Sequence, residues 1–526
     1  MSRTATFYGL TDANEKTLSL AKILSMLLPI VSATVTLSTT FFMIFVAEAV
    51  GHGSFIEGLG IVGVLVVFQM LVQVILDYPT GAIGDWIGQR YIIAAAFGSF
   101  AVAFFMVSFV NSATPFAYLI VIYIFMGLGN SQMSGSFMAW FDNNYRIAMP
   151  GDENRKQYGV FMGRVGMLFQ IVSTLSLIPG AILATVWGRP WVFQVQALLS
   201  VLIAITVLRF VKDFPEVEAA REKRPTMSEY TNLLKSGVSF LVSDKFVFYV
   251  IIGGCVMFSS TMVWGNLILF PLYFSYLLTD IAVSSYRTIL FIPGVFSQER
   301  SGIWSRRFEP KKWIPRFRFL QLGGSLFYML IAVIMWLLPP AAAGSAVASL
   351  ILPFTDIVLL EIPAANLLPV LLLTSAFIGT SFTGAMAEIL TQRLLLDVIP
   401  NRIRNSMYSL TPTLMTIFAM PQIAFFGWLL SVIGFPITLA IISAISLGGV
   451  FLIRRGLSYP IPKAHDDSQD KSSISEAIPT VTEGEPVEEA PQLALVEETV
   501  ATLKPQGDLW DTQDVSGDPD FVGNLD

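Results

Sequence analysis

The chain has 526 residues, 54% apolar and only 13% charged, with a mean hydropathy of +0.66. A soluble domain carries roughly a quarter charged residues, so this apolar excess outgrows any soluble core and excludes a soluble enzyme, a nucleic-acid binder and a disordered scaffold. The single cysteine, Cys255, and two histidines exclude a disulfide framework within the chain and leave no multi-Cys or His-based metal centre to expect.

A helix needs about 20 apolar residues to cross a bilayer. Twelve stretches qualify, at 24–47, 58–79, 91–111, 116–141, 159–187, 190–211, 246–278, 284–303, 318–339, 366–395, 405–431 and 433–454. The first is preceded by a leader, 1–23, and is too long for a signal peptide, although Ala47-Glu48-Ala49 mimics a cleavage site. The eighth is the weakest, because Arg287 and Gln298–Arg300 shorten its apolar centre. A thirteenth apolar stretch, 341–360, holds Pro353 and Asp356 and reads as part of an outer loop insert, 341–365, interfacial or re-entrant.

The predicted class is therefore an all-α polytopic membrane protein. Residues 24–211 form an N-terminal six-helix bundle, 212–245 a polar linker, and 246–456 a C-terminal six-helix bundle. With both termini inside, 27 Lys and Arg fall on inner connections and two, Arg189 and Arg287, outside. The net charge of −6 divides into +7 over 1–456 and −13 over the acidic tail 457–526, whose composition reads as disordered and cytoplasmic. Two six-helix halves around a polar linker suit a transporter built from parallel repeats, with its site at their interface.

After the second helix comes Asp77-Tyr78-Pro79-Thr80-Gly81-Ala82-Ile83-Gly84-Asp85-Trp86-Ile87-Gly88-Gln89-Arg90. Glycines permit a tight turn and close helix approach, and a carboxylate there can cap a helix or pair with cations. In Gly81, Asp85, Gly88 and Arg90 this loop resembles the signature of the Major Facilitator Superfamily, with Trp86 where an Arg is common, and Pro-Thr-Gly resembles its drug-efflux branch. Ser134-Gly135-Ser136-Phe137-Met138-Ala139-Trp140-Phe141-Asp142 is similar to a pattern of efflux-type members, with its acid one residue early.

The resemblance implies twelve helices in two pseudo-symmetric halves, and an inner gate of Asp85, Arg90, Asp142 and Arg164; plain surface ion pairing is the alternative. Gly302 and Lys311 keep their places in a degenerate second copy, where Arg306 and Glu309 replace the Asp and the second Gly. Asp397 and Arg404 resemble the acid–Pro–Arg turn between helices ten and eleven. Helix five keeps only Pro179-Gly180 of the family's antiport pattern, so export is implied by the Pro79-Thr80-Gly81 style alone.

Polar residues at mid-membrane depth are costly and mark a substrate path. The candidates are Gln69, Gln73, Asn130, Gln170, Trp264 and Asn266, with the Ser/Thr run Ser32–Thr40 equally able to bond its own backbone. A proton carrier needs an embedded carboxyl group. Glu388 stands first and Asp77 second, the alternative for Glu388 being a pair with Arg393.

The expected function is secondary transport of a small molecule by alternating access, with proton-coupled efflux of an amphipathic or drug-like compound. Import of a metabolite is one alternative, and a transport-inactive sensor or scaffold using the acidic tail is another. A plasma or inner membrane location and a monomer are expected. No enzyme activity, cofactor, metal or nucleic-acid partner is.

Overall fold

A computed structural model describes residues 3–10, 13–152, 156–219, 235, 238–305, 307–341, 346–351, 358–396, 398 and 401–462. Of the earlier expectations, Arg306, Pro353, Asp356, Asp397 and the tail from residue 463 lie outside these residues, as do the side chains of Arg402 and Arg404.

The leader forms α1 (Arg3–Tyr8) and the first turns of α2 (Glu15–Thr36). Asn14 caps α2, its Oδ1 accepting from the Thr17 amide at 2.8 Å and the Thr17 hydroxyl at 2.9 Å. The expected single helix 24–47 is broken. Thr34 and Thr36 donate to carbonyls four residues back, α2 ends at Thr36, and α3 (Phe42–Val50) starts afresh. A Cβ on Gly180 would lie 1.8 Å from the Leu37 carbonyl, so this break is where the fifth crossing presses against the first.

The second helix is longer than expected. α4 (Phe55–Ile87) runs 33 residues through Pro79, about 50 Å at 1.5 Å per residue. The turn to α5 (Gln89–Val107) is Gly88 alone, at a φ of 109° that a side chain would strain. The fourth crossing is split into α6 (Phe116–Met133) and α7 (Ser136–Ala148) at Ser134-Gly135, with Gly135 at φ 73°. α8 (Lys156–Leu175) and α9 (Leu177–Trp187) make the fifth, α10 (Arg189–Phe210) the sixth, and α11 (Pro215–Ala219) opens the linker.

The second half follows with α12 (Lys245–Val263), a π-helical turn at Trp264–Ile268, α13 (Leu269–Leu277), α14 (Asp280–Ser305), α15 (Pro310–Leu320) and α16 (Ser325–Leu337). It ends with α17 (Leu367–Leu396), α18 (Asn401–Ile433) and α19 (Phe435–Leu457). Eleven helices among the described residues are long and apolar enough to cross a membrane. α14 has the length, 26 residues, but carries the charges that made its sequence weak.

The all-α expectation is corrected at the insert 341–365. Val347–Ile351 (β1) pairs antiparallel with Val358–Pro363 (β2), Val347 opposite Pro363. β2 packs on α13 and α14. Buried Asn366 pins the base of this hairpin, donating to the Tyr276 carbonyl at 2.8 Å and accepting from the Ala341 amide at 2.9 Å. A hairpin satisfies its own backbone in pairs, which an isolated re-entrant coil does not.

Within the first half α4 packs on α6 and α5 on α10; within the second α12 packs on α19 and α14 on α17; α4 against α18 and α9 against α14 join the two. The α4–α18 seam is narrow because of glycine. A Cβ on Gly63 would lie 2.9 Å from the Ile423 carbonyl, and one on Gly427 2.9 Å from that of Leu59.

Candidate functional site

The end of the bundle towards which α2 runs, the far end, is closed by charge. Arg189 opens α10, where the helix dipole disfavours a cation, so carboxylates must compensate it. Its Nε and Nη2 donate to both oxygens of Asp280, at 2.8 and 2.9 Å, and its Nη1 to Glu48 at 2.5 Å. The fork is largely shielded, with 16% of the Arg189 and 11% of the Asp280 side chain exposed. Phe274 lies under the guanidinium at 5.5 Å, and the Phe55 ring meets Phe274 edge-on at 5.7 Å.

Arg189 and Glu48 belong to the first half and Asp280 to the second. Below them the seam continues down one face of α14 at every fourth residue. Ser284 meets the Thr40 hydroxyl at 2.9 Å, and Thr288 donates to the Thr174 carbonyl at 3.2 Å. These, with the Arg189–Asp280 pair, are the polar bonds between the halves whose two partners are both described. Sequence reasoning missed this ladder. The available signal was Arg189 itself, one of two cations stranded among 27 on the other side.

At the near end stand the residues of the expected gate, Asp85, Arg90, Asp142 and Arg164, and among the described residues no ion pair joins any two of them. Asp85 accepts from Gln89 at 2.8 Å, Arg90 donates to the Tyr91 hydroxyl at 2.7 Å, and Asp142 pairs with Arg146 at 2.9 Å. Asp85 and Asp142 have further contacts besides these. Arg164 donates to the Thr6 carbonyl at 3.1 Å and covers the Phe7 ring, holding α1 against α8. For Asp85 and Asp142 one partner is four residues away, which costs less side-chain order than a partner on a distant helix.

Gly81 lies inside α4 rather than in a turn, with nothing near its missing Cβ. Gly302 lies inside α14. Lys16 reaches Glu216 at 3.5 Å, tying the leader to the linker. The Glu216 carboxyl is held below its ordinary range, first by a backbone hydrogen bond and then by Lys16.

The two proton candidates differ in surroundings. Glu388 on α17 pairs with Arg318 on α15 at 2.8 Å, not with Arg393, and also accepts from Gln392 at 3.1 Å. Arg318 is held besides by Thr391 at 3.1 Å and Gln321 at 3.3 Å. Asp77 pairs with no cation among the described residues, and its carboxylate faces the Ser134 hydroxyl at the break between α6 and α7.

Of the expected path residues, Gln69, Gln73 and Asn130 are half-buried on α4 and α6, which pack together, and Gln170 is exposed on α8. None of these four amides has a side-chain partner among the described residues. Asn266 spends its amide on the Met262 carbonyl at 2.9 Å, within the π turn. Trp264 is core: 5% exposed, it packs edge-on against Phe327 at 4.9 Å.

The structure adds Arg287, on α14 and pairing with no carboxylate among the described residues; it covers the Phe377 ring at 5.9 Å. Tyr273, within reach of its charge, and Ser285, two residues before it on α14, carry buried hydroxyls without a hydrogen-bond partner among the described residues. A membrane cation beside orphaned donors is what an acceptor-bearing solute would satisfy.

A family model described as the Major Facilitator Superfamily matches residues 30–366. Among solved structures, the crystal structure of the nucleoside transporter NupG is similar with a TM-score of 0.60 at 12% identity, covering 85% of this chain and 100% of that one. The crystal structure of a D-xylose-proton symporter is similar with a TM-score of 0.54 at 11% identity, covering 85% of this chain and 98% of that one. At such identities the likeness is of fold alone. No curated protein matches the chain in sequence.

Proposed function

The chain belongs to the Major Facilitator Superfamily, and from that premise we propose that it is a proton-coupled secondary transporter working by alternating access. The observation that carries this reading is the ladder of Arg189, Ser284 and Thr288 contacts, which joins the halves at one end as a rocking mechanism requires of a closed side.

Twelve crossings are counted with α14 as the eighth, and the near end with both termini faces the cytoplasm of a cell that carries the protein in its plasma or inner membrane. The protein acts as a monomer. Asp77, without a cation partner among the described residues, is the proton carrier, while Glu388 is a structural pair with Arg318. The substrate is a small amphipathic compound with a hydrogen-bond acceptor or anionic group, met by Arg287, Tyr273 and Ser285 and by the free amides of Gln69, Gln73, Asn130 and Gln170.

Export is favoured by the Pro79-Thr80-Gly81 sequence on α4. Import of a polar metabolite is the second reading, favoured by those amides and by the nucleoside and D-xylose-proton transporters that share the fold.

The test places purified protein in liposomes with an internal pH dye and challenges it with amphipathic compounds, nucleosides and sugars. A compound-triggered pH change is expected, lost in Asp77→Asn and kept in Glu388→Gln. A change that survives Asp77→Asn removes Asp77 as carrier, and silence across the panel with folded protein counts against proton-coupled transport of these classes.

A further inference from the structure

A second charged feature lies away from the seam, between α15 and α19, where α15 begins and α19 ends. It is a groove of about 640 Å³ walled by Lys311, Lys312, Arg316 and Arg454, with Phe319 and Leu447 on its apolar floor. Arg316 is oriented by the Trp313 ring at 5.1 Å. None of the four cations pairs with a carboxylate among the described residues, and Glu309, the acid next to α15, makes no ion pair with them.

The neighbouring cations at this end are occupied differently. Arg455 covers the Tyr249 ring at 5.7 Å and Lys245 the Tyr459 ring at 6.0 Å.

The placement of the charges favours an anion beyond the one acid at the helix start, the N-cap residue Glu309. The first turn of a helix favours acidic side chains and exposes unsatisfied amides, yet α15 begins Pro310-Lys311-Lys312 with no acid in its first turn. Arg454 lies in the last turn of α19, so the groove sits where two membrane helices end. That is the depth of lipid headgroups. Its floor continues onto outward-facing apolar surface, Leu447 being 48% and Phe451 61% exposed. Cations at headgroup depth above an apolar wall match a molecule with an anionic phosphate and an acyl chain, and a basic pocket between membrane helices is such a site.

We propose that this groove binds the phosphate headgroup of an anionic phospholipid, with its acyl chain lying along Phe319 and Leu447. The lysine kept by the degenerate second motif, Lys311, then serves lipid binding rather than a gate.

The test is native mass spectrometry of the full chain released from detergent with phosphatidylglycerol or phosphatidylcholine. Phosphatidylglycerol is expected to be retained and phosphatidylcholine not. Each cation near an anionic lipid is worth roughly fivefold, so Lys311→Gln/Lys312→Gln/Arg454→Gln should weaken retention about a hundredfold. Lys311→Arg/Lys312→Arg/Arg454→Lys should restore it, which separates lost charge from lost fold. Leu447→Trp, which fills the floor, should weaken retention with all charges kept.

Equal retention of phosphatidylcholine overturns the proposal, as does displacement by soluble glycerol phosphate at the same concentration, which would mark a plain phosphate site. If retention appears only when Glu483, Glu485, Glu488 and Glu489 are changed to Gln, the tail occupies the groove and the proposal falls.

Discussion

Arg189 holds two carboxylates at once, and that makes its loss asymmetric with theirs. Asp280→Asn leaves the guanidinium with Glu48, whereas Arg189→Gln leaves Glu48 and Asp280 as uncompensated, partly shielded charges at one point. Removing one side of a fully buried pair costs roughly 3–5 kcal/mol; with Glu48 31% exposed solvent screens part of this, and about 2 kcal/mol is expected. Since 1.4 kcal/mol is a factor of ten in a population, Arg189→Gln should shift the far end towards open by more than tenfold. Ser284, fully buried behind the fork, reports on it. In a Cys255→Ser background, Ser284→Cys should react with an impermeant maleimide at least about tenfold faster once Arg189→Gln is added. Unchanged labelling would mean the fork does not hold the halves. Asp280→Asn should give a smaller rise.

The same residue-scale logic applies to Arg287 without a carboxylate. A guanidinium that binds solute should lower apparent substrate affinity when neutralised while leaving the fold intact. Arg287→Gln is expected to raise the half-saturating substrate concentration about tenfold or more, the loss of a charged hydrogen bond being worth roughly 1.5–3 kcal/mol. A lowered thermal midpoint with unchanged affinity would instead make Arg287 a packing residue against Phe377.

At the scale of elements, the α4–α18 seam depends on two glycines that face each other at backbone distance. A Cβ on Gly427 would sit 3.1 Å from the Gly63 Cα. Gly427→Ala forces a separation of a few tenths of an ångström, and Gly427→Leu forces the helices apart. Overpacking costs typically 1–3 kcal/mol, so the leucine variant should lower the thermal midpoint and abolish flux, and the alanine variant should do so only in part. Equal behaviour of the two would show that close approach is not what the seam needs.

Elements also show where the sequence could be read and where it could not. Hydropathy finds crossings because lipid demands about 20 apolar residues, and eleven of the expected stretches correspond to such helices. It does not see breaks, because a short run such as Ser32–Thr40 or Gln132–Ser136 is averaged with its apolar neighbours while its hydroxyls and glycine end a helix locally. The hairpin at 347–363 was hidden for a related reason: apart from the paired Ser349 and Glu361 its strands are apolar, and they lack alternation. Asp85 and Arg90 were legible as a motif, but the motif does not say which side chains they meet, and in the structure Asp85 accepts from Gln89 and Arg90 donates to Tyr91. The Arg189–Asp280 pair spans 91 residues; the sequence marks Arg189 as an unusual outer cation but does not name its partner.

At the scale of the whole molecule, the polar contacts between the halves among the described residues lie on one face of α14, so a rigid-body rock that opens the far end has to break them together with the α4–α18 approach. Alternating access therefore predicts that fastening the ladder stops transport without touching the substrate groups. Thr40 and Ser284 supply the fastening point, since their hydroxyl oxygens lie 2.9 Å apart and a disulfide needs Cβ atoms roughly 3.5–4.5 Å apart. In a Cys255→Ser background, Thr40→Cys/Ser284→Cys should carry substrate when reduced, lose flux on oxidation, and regain it with reductant. Substrate added from the near end should still bind the oxidised protein, because the lock holds the closed end only. Flux that persists after complete oxidation would mean the two halves do not separate along α14, and the path would have to be sought within a single half.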